Sequence, residues 1–324
     1  MKKTKTIFFG TPEFSVPFLK TLIDASFLDV VAVVTEPDRP KGRGKVMTPS
    51  PVTEYSIETL KQVQGDSKIE LIQSDQIINL KLKIENLQPD LAVVVAYGQI
   101  IPQEILDIPK YGAINVHPSD LPKYRGPAPI QGVLLNGEKE TAISVMRMDA
   151  KMDHGAILGK LPIKIDENDD YSSLEKKILN RGPEFLVKTL EMYLDYCSRN
   201  IMTRTKNNSS HIRSNNIYKE QDHSKATFTK MIKKEDGLID WNKSPLKIHN
   251  KIRAYTLWPK AYTYLSTPRG CTQGKRLNIL KSRIASGKLY LEIVQLEGKK
   301  PTSWKEFING YAKLISEEML KKIN

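Results

Sequence analysis

Residues 112–126 read Gly-Ala-Ile-Asn-Val-His-Pro-Ser-Asp-Leu-Pro-Lys-Tyr-Arg-Gly, an apolar run followed by a loop rich in proline and polar residues. The composition of Gly112 to Val116 is typical of a buried parallel strand that delivers Asn115 and His117 at its carboxyl end. Because side chains alternate along a strand, Asn115 and His117 project from the same face. Open α/β sheets bind ligands at this end of their strands, so the stretch predicts both the fold and the place of its chemistry.

The rest of the N-terminal part alternates strand and helix signals in the same way. Apolar runs predict strands, and the run at Ser15–Asp24 has the periodicity of a helix. The pattern predicts an α/β fold with an open, Rossmann-like, mostly parallel sheet. The first turn, Gly10-Thr11-Pro12, lacks the GxGxxG sequence, so we do not predict nicotinamide binding. The predicted strands are Thr6–Phe9, Val30–Val34 and Leu91–Val95, besides Gly112–Val116.

Composition excludes several classes of protein. The 324 residues are 40% hydrophobic and 27% charged, which is typical of a soluble globular protein. The longest apolar run, near Leu91–Ala96, is too short to span a membrane, and the start at Met1-Lys2-Lys3 has no leader pattern. We therefore expect a cytoplasmic protein. Cys197 and Cys271 have no paired spacing, so neither a disulfide framework nor a zinc site is expected.

The positive charge is concentrated in the C-terminal part of the chain. From Cys197 to Asn324 there are 26 Lys and Arg against 10 Asp and Glu, or +16, which leaves −3 for residues 1–196 of the total of +13. A basic module beside a near-neutral one is typical of a protein that handles a polyanion. A lysine-rich surface kept for solubility, or a lysine bias of the whole proteome, would give the same composition, and composition alone leaves these readings open.

Three regions follow from these patterns. Residues 1–196 form the predicted α/β domain, 197–216 a polar linker with little apolar periodicity, and 217–324 a smaller basic domain. Short alternating segments in the last region, such as Leu277–Leu280 and Leu289–Val294, predict an OB-like β-barrel. Small barrels of this kind often bind nucleic acid.

The candidate chemistry combines an amide, an imidazole and a carboxylate. Asn115 can donate a hydrogen bond to an oxyanion while His117 moves a proton, and Asp153 on a later loop could fix the orientation of the imidazole. This set predicts acyl transfer without a covalent nucleophile. We expect His154 to be a surface or loop residue, and we assign no catalytic role to His223.

The sequence resembles the methionyl-tRNA formyltransferase family nearly from end to end. Several motifs in the same order are stronger evidence than any single motif. They are Phe9–Phe14, Glu36–Lys45, Val94–Gly98, Asn115–Gln131, Met148–Gly155, Gln221–Asp222 through Ile239–Trp241, and Gly298–Pro301.

The resemblance implies a formyltransferase fold and transfer of a formyl group from 10-formyltetrahydrofolate to the α-amino group of methionine on initiator tRNA. It implies that Asn115 binds the formyl oxygen, that His117 manages protons and that Asp153 supports His117, with no metal. It implies a monomer. It also implies that folate binds to Ser119, Asp120, Leu121 and Pro122, where Asp120 departs from the usual leucine, and to Val95, Ala96, Tyr97 and Gly98.

The loop Asp38–Lys45 contains four basic residues and two glycines. It could be a solvated surface loop, but with the resemblance we expect it to contact tRNA phosphates. Two other functions stay open: formyl transfer to a sugar-nucleotide or ribonucleotide amine, and tRNA binding by a catalytically dead relative. The expected tRNA contacts are Arg39, Lys41, Arg43 and Lys45.

Overall fold

A computed structural model of the chain describes residues 2–42, 44–62, 69–206, 217–265 and 274–323. The strands are β1 Thr4–Gly10, β2 Leu28–Thr35, β3 Arg39–Lys41, β4 Val46–Thr48, β5 Glu70–Gln73, β6 Leu91–Val95, β7 Ala113–His117, β8 Glu140–Arg147, β9 Ile157–Lys164, β10 Ala261–Tyr264, β11 Arg276–Ala285, β12 Lys288–Leu296 and β13 Thr302–Ser303. The α-helices are α1 Val16–Asp24, α2 Pro51–Gln62, α3 Lys81–Leu87, α4 Gln103–Leu106, α5 Pro129–Asn136, α6 Tyr171–Lys206, α7 Pro245–Ala254, α8 Trp304–Tyr311 and α9 Glu317–Leu320.

Seven strands form one sheet in the order β5-β2-β1-β6-β7-β8-β9. The pairs β1 with β2, β1 with β6, β2 with β5 and β6 with β7 are parallel, whereas β7 pairs with β8 in the antiparallel direction. The mostly parallel α/β sheet predicted from the sequence is therefore confirmed. Strand β6 is buried along its whole length, as a continuous apolar run in a parallel sheet requires.

Strand alternation builds the core on one face of this sheet. The odd positions Ile7 and Phe9 of β1 and the even positions Ala32 and Val34 of β2 belong to one cluster of buried side chains. Ile84 of α3 packs into the same cluster. Because successive side chains point to opposite faces, a two-residue period is enough to define this layer.

The first turn of the sheet depends on a residue without a side chain. A Cβ atom at Gly10 would lie 2.7 Å from the Phe8 ring and 2.9 Å from Cβ of Ser15. The hydroxyl of Ser15 donates to the Val95 carbonyl at 2.7 Å, which ties this turn to the end of β6. The glycine thus allows Ser15 to lie close to β1, where its hydroxyl reaches the Val95 carbonyl.

The C-terminal part has an antiparallel sheet of order β10-β11-β12-β13. It has a core of its own, to which Trp241, Ile252, Leu277 and Phe307 belong. The indole Nε1 of Trp241 donates to the Thr263 hydroxyl at 3.0 Å, so burial leaves this polar group satisfied. The predicted β-domain at the C-terminus is confirmed, with antiparallel strands, and its closure into an OB-like barrel stays a prediction.

The described chain divides into two compact units. One comprises Met1–Arg125, Ala142–Pro162 and Ile178–Ala226, and the other Gly126–Thr141, Ile163–Lys177 and Thr227–Asn324. The second unit thus includes segments that come before residue 196, because helices such as α5 pack against α7. The predicted boundaries at residues 196 and 217, which divide the chain by function, stay a prediction.

The first half of the predicted linker, from residue 197, is helical. Helix α6 continues to Lys206, and 207–216 lie outside the described residues. Residues 197–206 contain neither glycine nor proline, and Arg199 forms an ion pair with Asp195 one turn earlier, so a polar sequence can extend the helix. None of the described helices, α6 included, combines the length and apolar character needed to cross a membrane.

The segment Asp38–Lys45, expected to be a loop, contains part of a short hairpin. Strand β3 pairs with β4 in the antiparallel direction. Gly42 has φ of +72°, a conformation that glycine adopts without strain and that the tight turn after β3 requires. This hairpin could not be predicted from the sequence, because three-residue strands carry almost no periodic signal.

Candidate active site

Asn115 and His117 lie together at the carboxyl end of β7. In the antiparallel register with β8, Asn115 pairs with Met146 and His117 with Ser144. The residues are 8% and 5% exposed. Within the described part of the chain the Asn115 amide makes no side-chain hydrogen bond, so its donor is available to a ligand.

The hydrogen bonds of His117 fix which ring nitrogen carries a proton. Its Nε2 lies 2.9 Å from the carbonyl oxygen of Tyr124. A carbonyl can only accept, so Nε2 donates, and in the neutral form of the ring the lone pair is on Nδ1. That lone pair faces Oδ1 of Asp153 at 3.6 Å. The backbone carbonyl of Tyr124 therefore orients the ring through Nε2. Asp153 faces Nδ1, so its negative charge would stabilise the imidazolium that forms when Nδ1 takes a proton.

Asp153 lies in the loop between β8 and β9. Its φ is +48°, a left-handed conformation that is unfavourable for residues other than glycine. Its side chain is 14% exposed. Gln221, which the sequence analysis left without a role, donates from Nε2 to the carbonyl oxygens of Asp153 and Gly155 at 2.9 and 2.7 Å.

His154 lies in the loop between β8 and β9, as expected, and it has close partners there. Its Nδ1 lies 2.7 Å from Oδ2 of Asp149, and its ring stacks on His223 with centroids 3.9 Å apart. Arg125, which is 4% exposed, donates from Nη2 to Nδ1 of His223 at 2.8 Å. His223 is therefore neutral in this arrangement, since Nδ1 must accept. Burial, with the nearby charges of His154 and Arg125, lowers the pKa of His223 below its usual value.

The segment expected to bind folate follows His117 directly. The Ser119 hydroxyl donates to the Lys123 carbonyl at 2.7 Å, and Leu121 is fully buried in a small cluster with Met146. The two side chains thus stabilise the segment itself. Asp120 points to Lys160, whose Nζ lies 2.6 Å from its carboxylate and also donates to the Leu121 carbonyl.

The second predicted folate segment begins at the end of β6. Val95 and Tyr97 are buried, whereas Ala96 and Gly98 are exposed and have φ of +47° and +93°. The buried Tyr97 hydroxyl has no hydrogen-bond partner among the described residues. Burial, and secondarily the charge of Glu36, raises the pKa of Tyr97 to about 12, so the hydroxyl keeps its proton near neutral pH.

The basic segment near β3 is described only in part. The Arg39 side chain is 60% exposed and lies 3.6 Å from the Glu36 carboxylate. Lys45 is exposed and has φ of +48°. Lys41 is the last residue of β3, and Arg43 lies outside the described residues. Contact of these residues with tRNA stays a prediction.

Comparisons with known proteins find relatives along nearly the whole chain. A family model described as formyl transferase matches residues 3–190, and one described as formyl transferase, C-terminal domain, matches residues 231–290. A methionyl-tRNA formyltransferase of Geobacter sulfurreducens is 37% identical over 96% of this chain and 95% of that protein. One from Bacillus licheniformis is 37% identical over 95% of each chain.

Solved structures show the same fold at low sequence identity. An N-formyltransferase from Helicobacter canadensis in complex with folinic acid and dTDP-3-aminofucose has a TM-score of 0.59 and 19% identity, and covers 93% of this chain and 98% of that one. A methionyl-tRNA formyltransferase from Clostridium thermocellum has a TM-score of 0.50 and 20% identity over 82% of this chain and 99% of its own. The family model and the sequence relatives show that the chain belongs to the methionyl-tRNA formyltransferase family.

Proposed function

We propose that this protein transfers the formyl group of 10-formyltetrahydrofolate to the α-amino group of methionine esterified to initiator tRNA. The observation that carries the proposal is the buried pair of His117 and Asp153, in which an imidazole lone pair faces a carboxylate at 3.6 Å beside the available amide of Asn115. Membership in the family supports the choice of donor and acceptor.

The amide of Asn115 acts on the formyl oxygen. As the amine attacks the formyl carbon, negative charge develops on that oxygen, and a hydrogen bond from a fixed, buried donor stabilises it. Asn115 is held by pairing on both sides of β7, with β6 and with β8. The donor therefore needs little rearrangement during the reaction.

His117 moves the proton that the attacking amine must lose. Its Nδ1 lone pair accepts this proton, and the carboxylate of Asp153 then faces an imidazolium across 3.6 Å. The proton passes on to the departing folate nitrogen as its bond to the formyl carbon breaks. The products are N-formylmethionyl-tRNA and tetrahydrofolate, and no covalent enzyme intermediate or metal ion is needed.

Folate binds between the two segments that flank the ends of β6 and β7 in this proposal. Ala96 and Gly98 are exposed there, and the unpartnered hydroxyl of Tyr97 is a polar group that a ligand can satisfy. Because Ser119 and Leu121 use their side chains internally, they contribute backbone groups to the ligand. Asp120, held by Lys160, contributes to the shape of the segment.

The tRNA binds to the basic residues of the chain. Arg39, Lys41, Arg43 and Lys45 contact the acceptor end, and the basic domain 217–324 holds the body of the tRNA through its phosphates. The excess of +16 from Cys197 onward is larger than a small acceptor requires. We also propose the division into a catalytic domain 1–196 and a tRNA-binding domain, a monomeric state and a cytoplasmic location.

An acceptor comparison tests this function. Purified protein is incubated with 10-formyltetrahydrofolate and either methionine-charged initiator tRNA or an amino-sugar nucleotide or ribonucleotide amine. We expect kcat/KM for the charged tRNA to exceed that for any small amine by at least about 100-fold, the range that buried polar recognition can provide. Faster formylation of a small amine would replace the proposed acceptor, and tRNA binding without turnover of any acceptor would indicate a catalytically dead relative.

A further inference from the structure

The side chain of Gln221 makes hydrogen bonds just beyond the point where a short antiparallel backbone pairing ends. The backbone groups of Lys219 and Ile157 exchange two hydrogen bonds of 2.8 and 2.9 Å in an isolated antiparallel bridge. In this register Gln221 lies opposite Gly155. Its side-chain amide then donates to the carbonyls of Gly155 and Asp153, where further backbone N–H groups would donate in a continuous strand pair.

The two carbonyls belong to the strained turn that carries the candidate carboxylate. Asp153 has φ of +48°, and such a conformation persists only when surrounding contacts hold it. Gly155 packs so tightly that a Cβ atom there would lie 1.9 Å from the Arg147 carbonyl oxygen. One buried amide group thus bridges the residues on both sides of His154 and limits movement of the Asp153 backbone.

The amide of Gln221 is itself held in one orientation. Its Oε1 accepts from Nη2 of Arg125 at 2.8 Å, which requires the Nε2 group to face the carbonyls. Gln221 and Arg125 are only 6% and 4% exposed. A guanidinium can only donate, so the direction of every bond in this chain of contacts is determined.

We propose that Gln221 is a positioning residue for the reaction: with Arg125 behind it, it holds the Asp153 turn so that the carboxylate faces Nδ1 of His117. This inference rests on the proposed function, because it concerns the proton step of that reaction. Gln221 does not touch the substrate in this account, and its effect on the rate passes through Asp153.

The test combines Gln221→Glu with Asp153→Asn in a double-mutant cycle measured by steady-state formylation of charged initiator tRNA. The glutamate has the same shape and still accepts from Arg125, but it presents oxygens to two carbonyl oxygens and cannot donate when ionised. We expect Gln221→Glu to lower kcat about 10- to 100-fold, as a misplacement of about 1 Å does, and to change each KM less than about twofold.

The cycle separates positioning from a general loss of structure. In the Asp153→Asn background the same Gln221→Glu change should lower kcat less than about twofold, because the carboxylate that it positions is gone. If the glutamate variant does not fold, Gln221→Met replaces it, because methionine removes the hydrogen bonds of Gln221 without adding charge. Its loss of kcat should likewise be large in the wild-type background and small in the Asp153→Asn background. The matched control is Gln295→Glu. Gln295 likewise donates to a backbone carbonyl, that of Lys299, and accepts from Lys260. The kcat of the Gln295→Glu variant should equal that of the wild type.

The possible results test the positioning role of Gln221 separately from the proposed function. Equal losses of kcat in the wild-type and Asp153→Asn backgrounds, or an unchanged kcat in Gln221→Glu, would overturn the positioning role while wild-type turnover still supports the proposed function. Absence of turnover by the wild-type protein would overturn the function, and with it the step that Gln221 serves.

Discussion

Replacing Asp153 by asparagine removes the negative charge that faces His117. The Nδ1 and Oδ1 atoms are 3.6 Å apart, and the side chains are 6% and 14% exposed. At an effective dielectric constant of about 20, two unit charges at this distance attract each other by about 4.5 kcal/mol. A tenfold change in rate corresponds to about 1.4 kcal/mol, so complete loss of this attraction would slow the proton step about 10³-fold.

The expected loss in kcat for Asp153→Asn is therefore about 10²- to 10³-fold, because the amide dipole retains part of the stabilisation. Both KM values should change little, because the lost attraction acts on the proton step rather than on substrate binding. The assay is steady-state formylation of charged initiator tRNA. Asp149→Asn is the matched control, because it makes the same change in the same loop beside His154 and should cost less than about threefold. A kcat within about fivefold of wild type for Asp153→Asn would refute the ion-pair argument.

Three further predictions follow from other parts of the structure. Asn115→Ala should lower kcat about 10²- to 10³-fold and leave the folate Kd nearly unchanged, and a large loss of folate affinity with normal kcat would contradict the role of its amide. Burial, with the charge of Arg253, lowers the pKa of His249 below 6.5, so near that pH the folded state binds fewer protons than the unfolded state. The stability that neutral His249 contributes is therefore present above pH 6.5 and lost as pH falls through the folded pKa. His249→Asn should therefore weaken the drop in urea midpoint between pH 7 and pH 5, and an unchanged drop would argue against this linkage. Lys160→Met breaks an exposed pair with Asp120 and should cost at most about 1 kcal/mol in urea unfolding, so a much larger loss would mean that the pair supports the segment more strongly.

Sequence reasoning succeeded where one segment determines its own structure. The strand Leu91–Val95 is a continuous apolar run, and in Ala113–His117 the two-residue period alone brings Asn115 and His117 to one face at the end of a strand. The prediction of mostly parallel pairing also needed only the alternation of strands and helices.

Sequence reasoning failed where residues far apart in the chain are in contact. Gln221 reaches the Asp153 turn across 68 positions and Arg125 across 96, and no local periodicity records such contacts. The acceptor for Nε2 of His117 is a backbone carbonyl, which every residue carries, so the identity of Tyr124 gave no signal. The stacking of His154 on His223 could not be predicted, because the two residues lie far apart in the sequence.

The central claim is that His117 moves the proton in formyl transfer to charged initiator tRNA. The most direct measurement compares wild-type and His117→Ala protein with 10-formyltetrahydrofolate and methionine-charged initiator tRNA, while tRNA binding is followed in parallel. We expect turnover by the wild type, a kcat at least about 100-fold lower for His117→Ala, and equal tRNA affinity for both. Equal turnover by the two proteins would contradict the assigned site, and no turnover by either would contradict the proposed function.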